Sequence, residues 1–149
     1  MKDRKNHNKL TIIIATYNRQ SEILKKIEFW KNYNFNIIII DGSKKKLKLK
    51  LDNKKIKYFH RNEFQYNKRL IFVSSKIKTK YVKLESDDDY FLPDSLLKSI
   101  NFLEKKKDYS AVFGRCGIYS SYNNEVYINS IFNHHKSLTD NSSNDRLRK

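Results

Sequence analysis

Three consecutive carboxylates, Asp87, Asp88 and Asp89, stand in a chain whose formal net charge is +16. Adjacent acids repel one another, so the triplet destabilises a fold unless a cation offsets it. Hard divalent cations such as Mn²⁺ or Mg²⁺ take oxygen ligands, commonly one or two carboxylates plus phosphate oxygens of a substrate. On its own an acidic triplet is more often a solvated turn. Two other polar segments change that balance: Thr16-Tyr17-Asn18-Arg19 and Asp41-Gly42-Ser43. Tyr17 offers a face for a base, and Asp41 can accept from a base N–H or a ribose hydroxyl. Each is weak alone, because an Asp-Gly-Ser is usually a turn and a Tyr after a strand is usually packing. Arg61, Lys68 and Arg69 add cationic groups, although in a Lys-rich chain each reads first as a solvated surface residue.

The elements around these segments explain why they can converge. Leu10 to Thr16 is a continuous β-branched run, apolar on both faces, as a central parallel strand requires. Ile23, Leu24, Ile27 and Trp30 then recur at helical spacing from Ser21 onward. Asn36 to Ile40 is a second apolar strand, closed by Asp41-Gly42-Ser43. A β-α-β order of this length implies a right-handed parallel unit. Lys44 to Lys55 is open between helix, strand and loop, with Leu47, Leu49 and Leu51 spaced more like a strand. Ile56 to His60 predicts a third strand, and Asn67 to Lys78 a helix with Leu70, Ile71, Val73 and Ile77 on one face. Tyr81 to Leu84 predicts a fourth strand leading into the acids. Pro93 suits the first turn of a helix, whose buried stripe is Leu96, Leu97, Ile100 and Leu103. Ala111 to Gly114 predicts a fifth strand. Ile118 to Tyr122 and Glu125 to Ile131 predict a hairpin through Asn123-Asn124. In an open parallel sheet ligands bind outside the carboxyl ends of the strands, and three such ends here are polar. Together they point to a nucleotide pocket.

Length and composition bound the rest. The 149 residues make one domain of ordinary size, and 38% hydrophobic with 13% aromatic residues is too apolar for a disordered chain. We read 1–9 as a basic arm, 10–132 as the nucleotide-binding domain and 133–149 as a polar tail. The charge suits nucleic acid, an anionic membrane surface or a phosphorylated small molecule. The abundance of Lys, Asn and Ile also fits an AT-rich genome. The lone Cys116 excludes an internal disulfide, fits a reducing cytoplasm and reads as a small core residue. The polar N-terminus predicts no signal peptide, and the apolar runs are too short for a membrane span. His134-His135 is weak evidence for a metal site, having no Cys or acidic partner at ligand spacing.

"LTIIIATYNR" at Leu10 to Arg19, "IIIIDGS" at Ile37 to Ser43 and "IKTKYVKLESDDDYFLPDSLLKSINF" at Ile77 to Phe102 carry a resemblance. Taken jointly they resemble the GT-A glycosyltransferases of family 2 type. The match is best to a bacterial subgroup in which a Thr-x-Tyr strand leads into Asp-Asp-Asp. The resemblance covers roughly residues 10–120. It implies an α/β GT-A (Rossmann-like) fold with a mostly parallel sheet flanked by helices and ending in a β-hairpin. It implies a donor that is a nucleotide-diphosphate sugar, most often UDP-linked, with Mn²⁺ or Mg²⁺ as cofactor. Inverting transfer to a hydroxyl of a glycan or lipid-linked acceptor, in polysaccharide or glycan assembly, is the implied reaction. Carried onto this sequence, Thr16, Tyr17 and Arg19 line the nucleobase pocket, and Asp41 with Gly42 meets uracil or ribose. Arg61 and Lys68 approach the diphosphate. Asp87 and Asp88 reach the ribose and sugar side, and Asp87, Asp88 and Asp89 are the metal candidates. The family's usual Asp-x-Asp-Asp has Ser86 at its first Asp, and Asp87 with Asp89 is the favoured pair.

The same resemblance places a general base in an acidic motif well past the fifth strand. Glu125, Asp140 and Asp145 are the later acids, and none sits in a matching motif. The catalytic base is therefore unassigned, and the chain reads as short of a complete GT-A domain. A late His in some such enzymes completes the metal shell, which keeps His134 and His135 as minor candidates. The implied location is cytoplasmic, at the inner face of the membrane where Lys44 to Lys55 touches anionic lipid. A nucleotidyltransferase is disfavoured because "ATYNRQSE" lacks the glycines of a phosphate loop. A non-catalytic nucleotide-binding module is the alternative from another class. Nucleic acid is not expected as a partner, since no RNP-like or helix-turn-helix signal occurs.

Overall fold

The computed structural model describes the backbone of residues 4–122 and 125–132, and the side chains of residues 6–118. Two compact units divide at Phe102 and Leu103. The first holds a four-stranded, all-parallel sheet of β1 (Leu10–Thr16), β2 (Asn36–Asp41), β3 (Ile56–His60) and β4 (Tyr81–Ser86), in the order β3-β2-β1-β4. Its helices are α1 (Arg4–His7), α2 (Gln20–Trp30), α3 (Tyr66–Ser74) and the start of α4 (Pro93–Lys105).

The isoleucine runs explain why β1 and β2 lie inside the sheet. Ile12, Ile14, Ile37 and Ile39 project to one face and pack with Ile23 and Trp30 of α2, Phe35, and Leu96 and Ile100 of α4. Ile13, Ile38 and Ile40 project to the other and pack with Val73 of α3. Each fully buried aliphatic side chain contributes about 1.5–3 kcal/mol relative to exposure. A sheet covered on both faces has no room for alternation, so these strands read as unbroken apolar runs. Trp30 is completely buried and meets Phe29, Tyr33 and Phe35 edge-on.

Several expectations are corrected. The N-terminal segment is not all frayed arm: Arg4–His7 forms one helical turn, and His7 packs on Phe35. Leu24 and Ile71 are exposed, so the apolar stripes of α2 and α3 are narrower than the spacing implied. Residues 42–55 form no helix or strand, although Leu47 and Leu51 still pack on the core. Ala111 to Gly114 is not a strand: residues 111–115 are irregular and Phe113 is 83% exposed. β4 consequently borders the described sheet, and its Val82 and Leu84 are exposed. Cys116 is exposed rather than a core residue.

The second unit carries the hairpin of β5 (Cys116–Tyr122) and β6 (Glu125–Phe132), paired antiparallel with a bulge between Ile118 and Tyr119. The Asn123-Asn124 turn, His134, His135, Asp140 and Asp145 lie outside the described residues, as does the side chain of Glu125.

Candidate active site

The strand order fixes where a ligand can sit. β1, β2 and β3 succeed one another to one side, and β4 then returns to the other side of β1. The connections diverge between β1 and β4, which opens a crevice beyond their carboxyl ends. Thr16 closes β1 there. It pairs in register with Asp41 of β2, while the neighbouring Ala15 pairs with Ser86 of β4. One residue therefore stands between the two acidic segments that lie far apart in sequence.

Thr16 Oγ1 donates to Asp87 Oδ2 at 2.7 Å, and this contact is buried. Arg19, in the loop after β1, donates through NH1 to Asp87 Oδ1 at 2.9 Å and to Asp88 Oδ2 at 2.8 Å. Asp87 is nearly enclosed, whereas Asp88 and Arg19 are about half exposed, with side-chain exposures of 8%, 53% and 46%. Asp89 is exposed. The Arg19 hydrogen bond, outweighing some desolvation, holds the Asp88 carboxyl below the usual carboxylate range. The same contact raises the Arg19 guanidinium further above its ordinary value.

On the β2 side, Asp41 is held by two donors. Ser43 N gives a 2.7 Å bond to Oδ1, which caps the turn, and Tyr58 Oη gives a 2.6 Å bond to Oδ2. Burial, reinforced by the Asp41 bond, pushes the Tyr58 phenol well above its ordinary value. Ser43 also latches the two loops together. Its Oγ accepts from Asn18 N at 2.7 Å, and its carbonyl lies 2.7 Å from His60 Nε2. Asn18 takes a left-handed φ of 56°, a conformation Asn tolerates better than most residues.

Gly42 leaves the space that the Arg69 guanidinium occupies. A Cβ there would stand 1.9 Å from Arg69 NH1 and 2.3 Å from its Cζ. Arg69 comes from α3, is 8% exposed, and donates through NH1 to the Phe64 carbonyl at 2.8 Å. Its Nε is buried without a hydrogen-bond partner among the described residues. With Ala15, Thr16, Tyr17, Arg19, Tyr66 and Asp87 it lines a cleft of about 210 Å³. A second cleft, about 470 Å³, is lined by Asn18, Gln20, Ser21, Ser43, Lys44 and Lys45.

The fold thus brings together Thr16, Tyr17, Arg19, Asp41, Gly42, Asp87 and Asp88. It does not bring Lys68, which is exposed on α3 and lines neither cleft. Arg61 is engaged locally: its NH1 donates to the His60 carbonyl at 2.9 Å and its guanidinium lies over the Phe72 ring. Tyr58 and Tyr66 were not singled out by the sequence, and Arg69 read first as solvated. The signal for Arg69 was the glycine facing it, legible only once β2 and α3 are packed.

Among the described residues no three His, Cys, Asp or Glu side chains converge to enclose a metal. The donor set suits a hard cation shared with a substrate: oxygen ligands only, with Asp88 and Asp89 exposed beside the crevice. Asp87 is the carboxylate that Thr16 and Arg19 orient.

A parallel sheet flanked by helices, with polar groups at this switch point, is an α/β arrangement consistent with the GT-A type. The chain belongs to glycosyl transferase family 2, whose sequence model matches residues 11–148. A Rickettsia conorii protein named as an uncharacterized glycosyltransferase is similar, with 32% identity over 109 residues, 67% of this chain and 18% of that protein. The chain therefore spans about a fifth of the length that this relative has. No helix among the described residues is long and apolar enough to cross a membrane.

Proposed function

We propose that this chain binds the donor of a metal-dependent glycosyltransferase: a nucleotide-diphosphate sugar, UDP-linked, whose sugar passes with inversion to an acceptor hydroxyl. The observation that carries the reading is Thr16, which is paired with Asp41 on one side and hydrogen-bonded to Asp87 on the other. Nucleoside recognition and the metal loop thereby share one strand end.

Tyr17, 52% exposed beside the crevice, presents a ring face to the base. Asp41, fixed by Tyr58 and Ser43, accepts from a base N–H. Arg69 supplies a buried guanidinium whose Nε has no hydrogen-bond partner among the described residues, and Arg19 a half-exposed one; both suit a diphosphate. Asp88 and Asp89 would hold Mn²⁺ or Mg²⁺ together with phosphate oxygens. When bound, the cation neutralises charge that grows on the departing diphosphate. The acceptor, a glycan or lipid-linked hydroxyl, belongs to the same proposal, as does the use of the product in polysaccharide assembly.

Calorimetric titration of UDP, GDP and their sugar conjugates, with and without Mn²⁺, tests the reading. Binding of a UDP compound that strengthens with Mn²⁺ supports it. Equal or absent binding of every nucleotide in both conditions refutes it.

A further inference from the structure

A buried cluster beneath the acidic loop is unused by the donor chemistry. Glu85 is the penultimate residue of β4 and is 1% exposed. Its Oε2 accepts from Trp30 Nε1 at 2.9 Å, and its Oε1 accepts from Phe91 N at 3.2 Å, six residues further along the chain. Lys26 Nζ, also fully buried, lies 3.0 Å from Oε1. The same ammonium lies over the face of the Tyr90 ring, 3.7 Å from the centroid. Tyr90 in turn stacks edge-on against Phe29.

These contacts close a loop. The chain leaves β4 at Ser86, carries Asp87, Asp88 and Asp89, and returns at Tyr90 and Phe91. Glu85 ties the entry to the exit through the Phe91 amide, and Lys26, Phe29 and Trp30 tie both to α2. Placing an ion pair in a core is costly, and an apolar substitute is often no less stable. A role in geometry explains its presence better than a role in stability. Side chains at a site need support that fixes them to within about 0.5 Å.

We infer that Glu85, with Lys26 and Trp30, is a positioning clamp that sets the spacing of the Asp87–Asp89 carboxylates for a divalent cation. This rests on the reading of that loop as the metal side of the donor site. Glu85 touches neither cation nor donor; it acts through the backbone of residues 86–91.

The test compares Mn²⁺ affinity in the presence of saturating UDP, read by the loss of the free Mn²⁺ electron paramagnetic resonance signal, with UDP affinity in the absence of metal. The double variant Lys26→Met/Glu85→Gln removes both charges without leaving one bare. It is expected to weaken Mn²⁺ binding about tenfold while metal-free UDP affinity stays within about twofold, a difference of some 1.4 kcal/mol on one arm only. Trp30→Phe, which removes a single donor to Glu85, is expected to move the same arm in the same direction, and it serves as the readout if the double variant does not fold. Mn²⁺ affinity equal to wild type in a folded variant overturns the clamp. Loss of both arms together also overturns it, because that marks general destabilisation. Wild-type protein that binds UDP but no Mn²⁺ overturns the metal-loop reading, and the clamp with it.

Discussion

Arg19 reaches Asp87 across the β1–β4 crevice, its NH1 2.9 Å from Oδ1, and the same nitrogen lies 2.8 Å from Oδ2 of Asp88. One guanidinium nitrogen therefore bridges two neighbouring carboxylates. The Asp88 arm is exposed and screened by water, so it contributes little to folding, whereas the Asp87 arm ends on a nearly enclosed carboxylate that Thr16 Oγ1 also holds. Arg19→Gln should accordingly lower thermal stability only slightly, because the Thr16 bond to Asp87 remains. It should weaken UDP binding about tenfold, since a charge-assisted contact to phosphate is lost. Differential scanning fluorimetry beside calorimetry checks both halves. A large stability loss with unchanged UDP affinity would reverse the assignment.

Gly42 and Arg69 form a second coupled pair. A methyl group at residue 42 meets the Arg69 guanidinium at 1.9 Å and displaces it from its buried place. Gly42→Ala and Arg69→Gln should each reduce UDP affinity. Combined, they should cost little more than either alone, because residues sharing one contact are non-additive. A double-mutant cycle by calorimetry gives the coupling, and strict additivity would mean that Arg69 is not displaced.

Lys26 and Glu85 predict a stability cycle. Lys26→Met leaves a buried carboxylate without its counter-charge, which costs about 3–5 kcal/mol. Burial, opposed by Lys26, already raises the Glu85 carboxyl above its ordinary value. Adding Glu85→Gln removes the stranded charge, so the double variant should recover at least about 1 kcal/mol. Urea unfolding of the three proteins measures this. A double variant weaker than Lys26→Met would show that the carboxylate is stabilised chiefly by Trp30 and Phe91.

Tyr58 sets an alkaline pH dependence. Its folded-state value is raised by burial and by the bond to Asp41. The folded protein therefore holds this proton where the unfolded chain has released it. The stabilisation is complete below the ordinary tyrosine value near pH 10 and is lost as pH rises through the higher folded value. Tyr58→Phe should flatten the fall in stability above pH 10. In the wild type, absorbance titration near 295 nm should show Tyr58 ionising only as the protein unfolds.

Much of the fold was legible because both faces of its inner strands are buried. Unbroken isoleucine runs leave few alternatives, and β1 and β3 begin and end where the pattern does. Asp41, Thr16 and the acidic triplet were legible because polar residues close apolar strands. The irregular 111–115 segment was not, since β-branched and aromatic residues there find no described partner strand. Arg69 was hidden for another reason: its burial depends on a glycine contributed by a different element. The Glu85 cluster was hidden likewise. A strand glutamate and a helix lysine look solvent-facing until α2 lies against the Tyr81–Lys83–Glu85 side of β4.

Hydrogen–deuterium exchange with UDP and Mn²⁺ tests the central claim most directly, because it reports where the ligand sits. The account predicts slowed exchange at 16–19, 41–43 and 86–91 with both ligands present, and at the first two segments alone with UDP but no metal. Protection confined to other segments, or none at saturating ligand, would contradict a donor site at the carboxyl ends of β1, β2 and β4.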